Sequence, residues 1–134
     1  MSYASYGNLG KDPTLPTEAE MVTLPEIKSE EDRINLLRNY RVVVIDNYTT
    51  WCGPCKVVAP HFAKLAKDIA TEYPFVIFAK EDAGLEIDGA PEIRGVPCFH
   101  FYVNGNLVKD ATCTGGAIEP VKEKLMNIIK YMVQ

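Results

Sequence analysis

Hydrophobic positions recur along this chain at spacings that change from one segment to the next, and the changes delimit its elements. Val42-Val43-Val44-Ile45 is an unbroken β-branched run between polar residues, the pattern of a strand buried on both faces of a sheet. Val58, Phe62, Leu65 and Ile69 follow at intervals of four, three and four, which places them on one stripe of a helix running to about Tyr73. Pro60 lies inside that stretch and is expected to kink it, because proline lacks the N–H and crowds the preceding turn. Phe75–Phe78 predicts a second buried strand. Strand, helix and strand then form a βαβ unit, whose right-handed crossover makes the two strands parallel.

The flanking segments add an element on each side. Ser29, followed three residues later by Asp32, resembles a capping box, and Glu30 and Glu31 suit the positive end of a helix. Ile34, Leu37 and nearby Leu36 supply that helix with an apolar face. Asp82–Pro91 is rich in Gly, Asp and Pro and reads as a loop. Cys98–Val103 and Leu107–Ala111 flank Asn104-Gly105, a strong hairpin signal that makes these strands antiparallel. Val121, Leu125, Ile128, Ile129 and Met132 form the face of a C-terminal helix. The expected architecture is α/β. A mixed sheet, half parallel βαβ and half antiparallel ββα, carries helices on both faces. Residues 1–20 read as a flexible extension and 21–134 as one domain, with a short edge strand at Met21–Leu24.

Composition narrows the function. The 134 residues are 47% hydrophobic and 24% charged, with a net charge of −4 and a pI near 5.2. That profile is globular. Without a Lys/Arg run it argues against electrostatic binding of nucleic acid or acidic membranes. The start, MSYASYGNLGKDPTLP, has neither a basic nor an apolar signal region, and no apolar run approaches bilayer length. A cytoplasmic, non-membrane protein is expected. The sequon Asn47-Tyr48-Thr49 is read as chance, since it lies at a strand end.

The chemistry lies in the cysteines: Cys52, Cys55, Cys98 and Cys113. Trp51-Cys52-Gly53-Pro54-Cys55-Lys56 directly follows a buried strand and opens a helix. Disulfide exchange needs a thiolate, which helix N-terminal amides stabilise. Cys52 at the start is the candidate nucleophile. Cys55, one turn further on the same face, is the candidate resolving thiol. Gly53 and Pro54 make a stiff link, and proline is tolerated in a first turn. Structural zinc would need a second close ligand pair, and Cys98, Cys113 and the two histidines are not so spaced. A purely structural disulfide is the other alternative.

With these residues in view, the chain resembles the thioredoxin family over about residues 20 to 134. Beyond the hexapeptide, Asp46 matches the family's buried carboxylate, Lys80 its lysine partner, Pro97 its cis-proline and Pro60 its helix kink. The resemblance implies the thioredoxin fold, a Cys52–Cys55 redox disulfide and proton exchange between Asp46 and Cys55. It also implies an apolar rim of Trp51, Gly95, Val96 and Gly115, where the Val96 backbone pairs with an extended substrate. No metal or organic cofactor is implied. The expected partners are disulfide-containing proteins and a thioredoxin reductase or equivalent electron donor, acting on a monomer. The alternatives are an oxidase or isomerase on the same fold, or a binding or structural subunit. Two features depart from the family. Asn47-Tyr48 stands in place of paired aromatics, and Cys98 follows the proline where Thr is common. Cys98 and Cys113 are read first as inert small hydrophobes, and His61 and His100 as packing or surface residues.

Overall fold

The structure is a computed structural model that describes Pro16 and residues 24–133. The expected extension lies outside the described residues except for Pro16, which is buried. Met21–Thr23 of the expected edge strand lie outside them too. The described edge strand is β1, Glu26–Ile27.

The first helix, α1, spans Glu30–Asn39, and Ser29 caps it by accepting a hydrogen bond from the Asp32 N–H. Asp32 turns its own carboxylate back to the Lys28 N–H at 2.9 Å, so the box closes one residue earlier than the sequence suggests. Strand β2, Val42–Tyr48, is buried throughout and continues three residues past the apolar run. Helix α2, Gly53–Glu72, continues through Pro60. Strand β3 is Val76–Asp82, followed by a 3-10 turn at Ala83–Leu85. Strand β4, Cys98–Val103, turns through Asn104 (φ 50°) and Gly105 (φ 82°). Both are left-handed, as a type I′ hairpin requires. The return strand is shorter than expected. Asn106–Leu107 forms β5 and a 3-10 turn at Lys109–Ala111 interrupts it. Cys113–Thr114 then rejoins β4 as β6. Helix α3, Ile118–Met132, closes the chain.

The sheet order is β1-β3-β2-β4-β5, with β6 also on β4. β1 and β2 run parallel to β3, whereas β4 is antiparallel to β2. The sheet is therefore mixed, as expected. Side-chain alternation sorts its two faces. Val42, Val44, Phe78, Phe99 and Phe101 meet α2 through Val58, Phe62, Leu65 and Ile69, and α3 through Val121, Leu125 and Ile129. Phe62 is the centre of this core, with Phe78 edge-on at 5.2 Å and Phe99 at 5.6 Å between ring centroids. Truncating such a side chain to alanine costs about 3–5 kcal/mol. On the other face, Ile27, Val43, Ile45, Ala79 and Tyr102 pack against Leu36 and Leu37 of α1. Ile34, expected on that apolar face, is exposed, and Arg33 is buried instead. The reason is a partner: the Arg33 guanidinium meets the Glu81 carboxylate of β3 at 2.8 Å.

The topology positions the site by direction alone. β2 and β3 end, and β4 begins, at the same edge of the layer, and α2 starts directly after β2 at that edge.

Candidate active site

Cys52 and Cys55 are joined as a disulfide at the mouth of α2. Cys52 is itself the N-cap: its sulfur accepts the Cys55 N–H at 3.1 Å. Its carbonyl accepts the Lys56 N–H at 3.3 Å. The helix end thus places amide donors and the positive end of its dipole on the sulfur, where a thiolate is stabilised. Cys52 is 7% exposed and Cys55 1%, so Cys52 is the more accessible of the two sulfurs. Gly53 and Pro54 are exposed and form the first turn.

Across from the dithiol, the Val96–Pro97 peptide bond is cis, and the Val96 carbonyl oxygen lies 3.7 Å from Cys52 Sγ. The Pro97 carbonyl accepts the Gly115 N–H at 2.9 Å. Gly115 has φ +112°, a conformation open to glycine and strained for other residues. A Cβ on Gly116 would come within 3.2 Å of Pro54, so this loop is fitted against the Gly53–Pro54 link. Trp51 is 75% exposed, which rules out core packing as its reason for being there. Gly95 and Val96 are half-buried and Gly115 is exposed. Two concavities among the described residues, of about 330 and 350 Å3, lie elsewhere, one lined by Leu24, Ala63 and Ala66, the other by Asn47, Glu81 and Glu86.

Beneath the site, Asp46 and Lys80 are register partners on β2 and β3 and both are buried. Burial pushes the Lys80 ammonium below its ordinary range, and the Asp46 and Glu26 carboxylates oppose that shift. At 2% exposure Lys80 is not a solvated surface charge. The sequence did not single out Glu26. It sits across from Lys80 on β1 and accepts the Tyr48 O–H at 2.8 Å. The only sequence signal for it is an acid beside apolar Ile27; its importance comes from strand register, which a linear reading does not supply.

Cys98 and Cys113 are free thiols, and burial pushes both above the ordinary thiol range. Cys98 Sγ lies 3.6 Å from His100 Nε2. Asn47 Nδ2 donates to the Cys98 carbonyl at 2.8 Å and sits 3.1 Å from His100 Nδ1. His100 is buried and His61 exposed. No helix among the described residues is long and apolar enough to cross a membrane.

The thioredoxin family model matches residues 20–131. Thioredoxin from Geodia cydonium is 36% identical over 92 residues, covering 67% of this chain and 83% of that one. Thioredoxin-3 from Dictyostelium discoideum is 39% identical over 90 residues, covering 63% and 78%. Among solved structures, oxidised mitochondrial thioredoxin 3 from Saccharomyces cerevisiae aligns with a TM-score of 0.69 at 27% identity, over 81% of this chain and 98% of that one. A dithiol at a helix mouth, on this sheet, with these relatives, makes the protein a thiol–disulfide oxidoreductase, and the chain belongs to the thioredoxin family.

Proposed function

We propose that the chain works as a reductant of protein disulfides, with Cys52 as nucleophile and Cys55 as resolving thiol. The observation that carries this is the sulfur of Cys52. It caps α2 and lies beside Val96, flanked in the chain by exposed Trp51 and Gly53. The Cys52 thiolate attacks one sulfur of the substrate disulfide. The other substrate sulfur leaves as a thiolate and takes a proton from solvent. Cys55 then gives its proton to Asp46 and attacks Cys52 Sγ. The remaining substrate sulfur departs as a thiolate, and the 52–55 disulfide is left behind. Two electrons have moved from the dithiol to the substrate.

Lys80 accompanies Asp46 as its charge partner. Trp51, Gly95, Val96 and Gly115 form the docking rim, and Pro97 holds Val96 where its backbone can pair with an extended substrate segment. Thioredoxins generally act on disulfide substrates and are recharged by thioredoxin reductase; such a reductase or an equivalent donor is the proposed electron source here. The role suits a compartment that keeps thiols reduced, such as the cytoplasm.

The test is the reduction potential of the 52–55 couple, read by mass after thiol blocking in defined dithiothreitol or glutathione mixtures. A value near that of thioredoxins generally, about −270 mV, is the expected result. A value near −180 mV or above would replace this reading with an oxidase or isomerase. Absence of a two-electron couple would leave a binding module. As a second check, Cys52→Ser abolishes turnover and Cys55→Ser traps the mixed disulfide on Cys52.

A further inference from the structure

Glu26, Lys80 and Asp46 stand in one row across three neighbouring strands. Glu26 of β1 is the register partner of Lys80 on β3, and Lys80 is the register partner of Asp46 on β2. All three belong to the sheet face that carries α2, since Ile27 and Glu81 alternate to the other side. Lys80 Nζ lies 3.8 Å from Glu26 Oε1, with side chains 3% and 20% exposed. The lysine is thus sealed, while the glutamate reaches water at the sheet edge. Tyr48, two residues beyond Asp46 on β2, fixes the glutamate from the other side by donating its O–H to Oε2 at 2.8 Å. That phenol stays protonated, its ionisation pushed far up by burial and by the Glu26 carboxylate beside it.

A buried ammonium shared between two carboxylates neutralises each of them less than it would neutralise one alone. We propose that Glu26 is a positioning residue that draws Lys80 away from Asp46 and so keeps Asp46 basic enough to take the Cys55 proton at neutral pH. The inference rests on the proton-accepting role proposed for Asp46 above.

Several charged groups among the described residues face this row. Lys28 and Asp82 act on Glu26 together with Tyr48 and Lys80. Lys28, Glu26 and Asp46 act on Lys80. Asp46 is also felt by Tyr48 and by the Cys98 thiol. Burial holds the Glu26 carboxyl above the usual carboxylate range against the Tyr48 hydrogen bond and the two lysines. Its protonation in mild acid releases Lys80 to Asp46. A carboxylate freed of a like charge becomes a weaker base.

The experiment mixes the reduced full chain with 5,5′-dithiobis(2-nitrobenzoate) and follows the second release of thionitrobenzoate, the step in which Cys55 resolves the mixed disulfide, from pH 5 to 9. In the unaltered protein the rate falls on the acid side as Asp46 protonates. Glu26→Gln is expected to move that acid midpoint down by about 1 pH unit. Tyr48→Phe, which keeps Glu26 but loosens its hold on the charge, moves it the same way by less. Glu26→Asp restores the original midpoint. In an Asp46→Asn background the limb is absent, and Glu26→Gln then has no effect on the profile.

If Glu26→Gln leaves the midpoint in place while Asp46→Asn removes the limb, the proposal fails and the role of Asp46 stands. If Glu26→Gln shifts the profile equally in the Asp46→Asn background, Glu26 acts without Asp46 and the proposal fails. If Asp46→Asn itself leaves the limb unchanged, the Asp46 reading fails and takes this one with it.

Discussion

Arg33 on α1 and Glu81 on β3, 48 residues apart in sequence, form an ion pair at 2.8 Å with both side chains 4% exposed. The same guanidinium donates to the Asp88 carbonyl at 2.8 Å, so it ties the helix to the loop after β3 as well as to the sheet. Removing one member of such a pair leaves a buried charge without its counterion. Glu81→Ala is therefore expected to cost about 3–5 kcal/mol, whereas Arg33→Met combined with Glu81→Leu costs far less or gains stability. Urea unfolding of the single and double variants measures both, and equal losses in the two would show that the pair itself stabilises the fold.

His100 predicts a specific dependence of stability on pH. Burial lowers its pKa, and the charge of Arg33 adds to the effect. Below the unfolded value of about 6.5, the unfolded chain takes up a proton that the folded chain refuses. Stability therefore falls as pH drops from about 6.5 towards the depressed folded value, and is unaffected by this group above it. His100→Gln should flatten that part of the curve. Urea midpoints at pH 7.5 and 5 in the two proteins test it; an unchanged difference between them would assign the acid sensitivity to other groups.

The two remaining cysteines should stay apart under oxidation. Thr114 is the register partner of Cys98, and Cys113 that of Phe99. The two thiols therefore project to opposite faces of the sheet, where no disulfide geometry is available without strand movement. Both are also pushed above the usual thiol pKa by burial. Mass mapping of the oxidised protein is expected to show one disulfide, 52–55, and two thiols that iodoacetamide labels rapidly only after unfolding. A 98–113 peptide pair would contradict the strand register.

The docking role proposed for Trp51 separates binding from chemistry. At 75% exposure its removal costs little stability, within about 0.5 kcal/mol. Trp51→Ala is expected to raise KM several-fold for a protein disulfide and to leave the rate with a small aromatic disulfide nearly unchanged. Equal losses with both substrates would mean that the indole acts on the sulfur itself.

The sequence made the core strands legible because an unbroken run such as Val42–Ile45 admits few readings, and the helix-opening dithiol legible because its residues are contiguous. Element lengths were less so. β2 and β3 continue into polar residues, Asp46 to Tyr48 and Lys80 to Asp82. Sheet pairing and buried partners hold those residues in place, and hydrophobicity gives no sign of it. Arg33 was hidden for the same reason: a charged residue enters an interior only when its counterion is already there, and Glu81 lies in a different element. Of the strand expected at Leu107–Ala111 only Leu107 belongs to one, because the chain turns at Lys109–Ala111 before rejoining β4 at Cys113–Thr114, and a loss of pairing along an edge leaves little trace in composition.

The antiparallel entry of β4 beside β2 also fixes when the site can come into being. Asn47 pairs with Cys98 and Asp46 with Phe99, contacts that close a loop of about fifty residues, whereas the dithiol and its helix are local. Local structure forms early and distant pairings late, since loop closure must be met before the contacts reward it. A growing chain therefore carries both cysteines well before it has Val96 and Pro97 to set against them. During that interval the thiols are present without the surface proposed to select their partners, and on that reading selectivity arrives only when the hairpin docks onto the sheet.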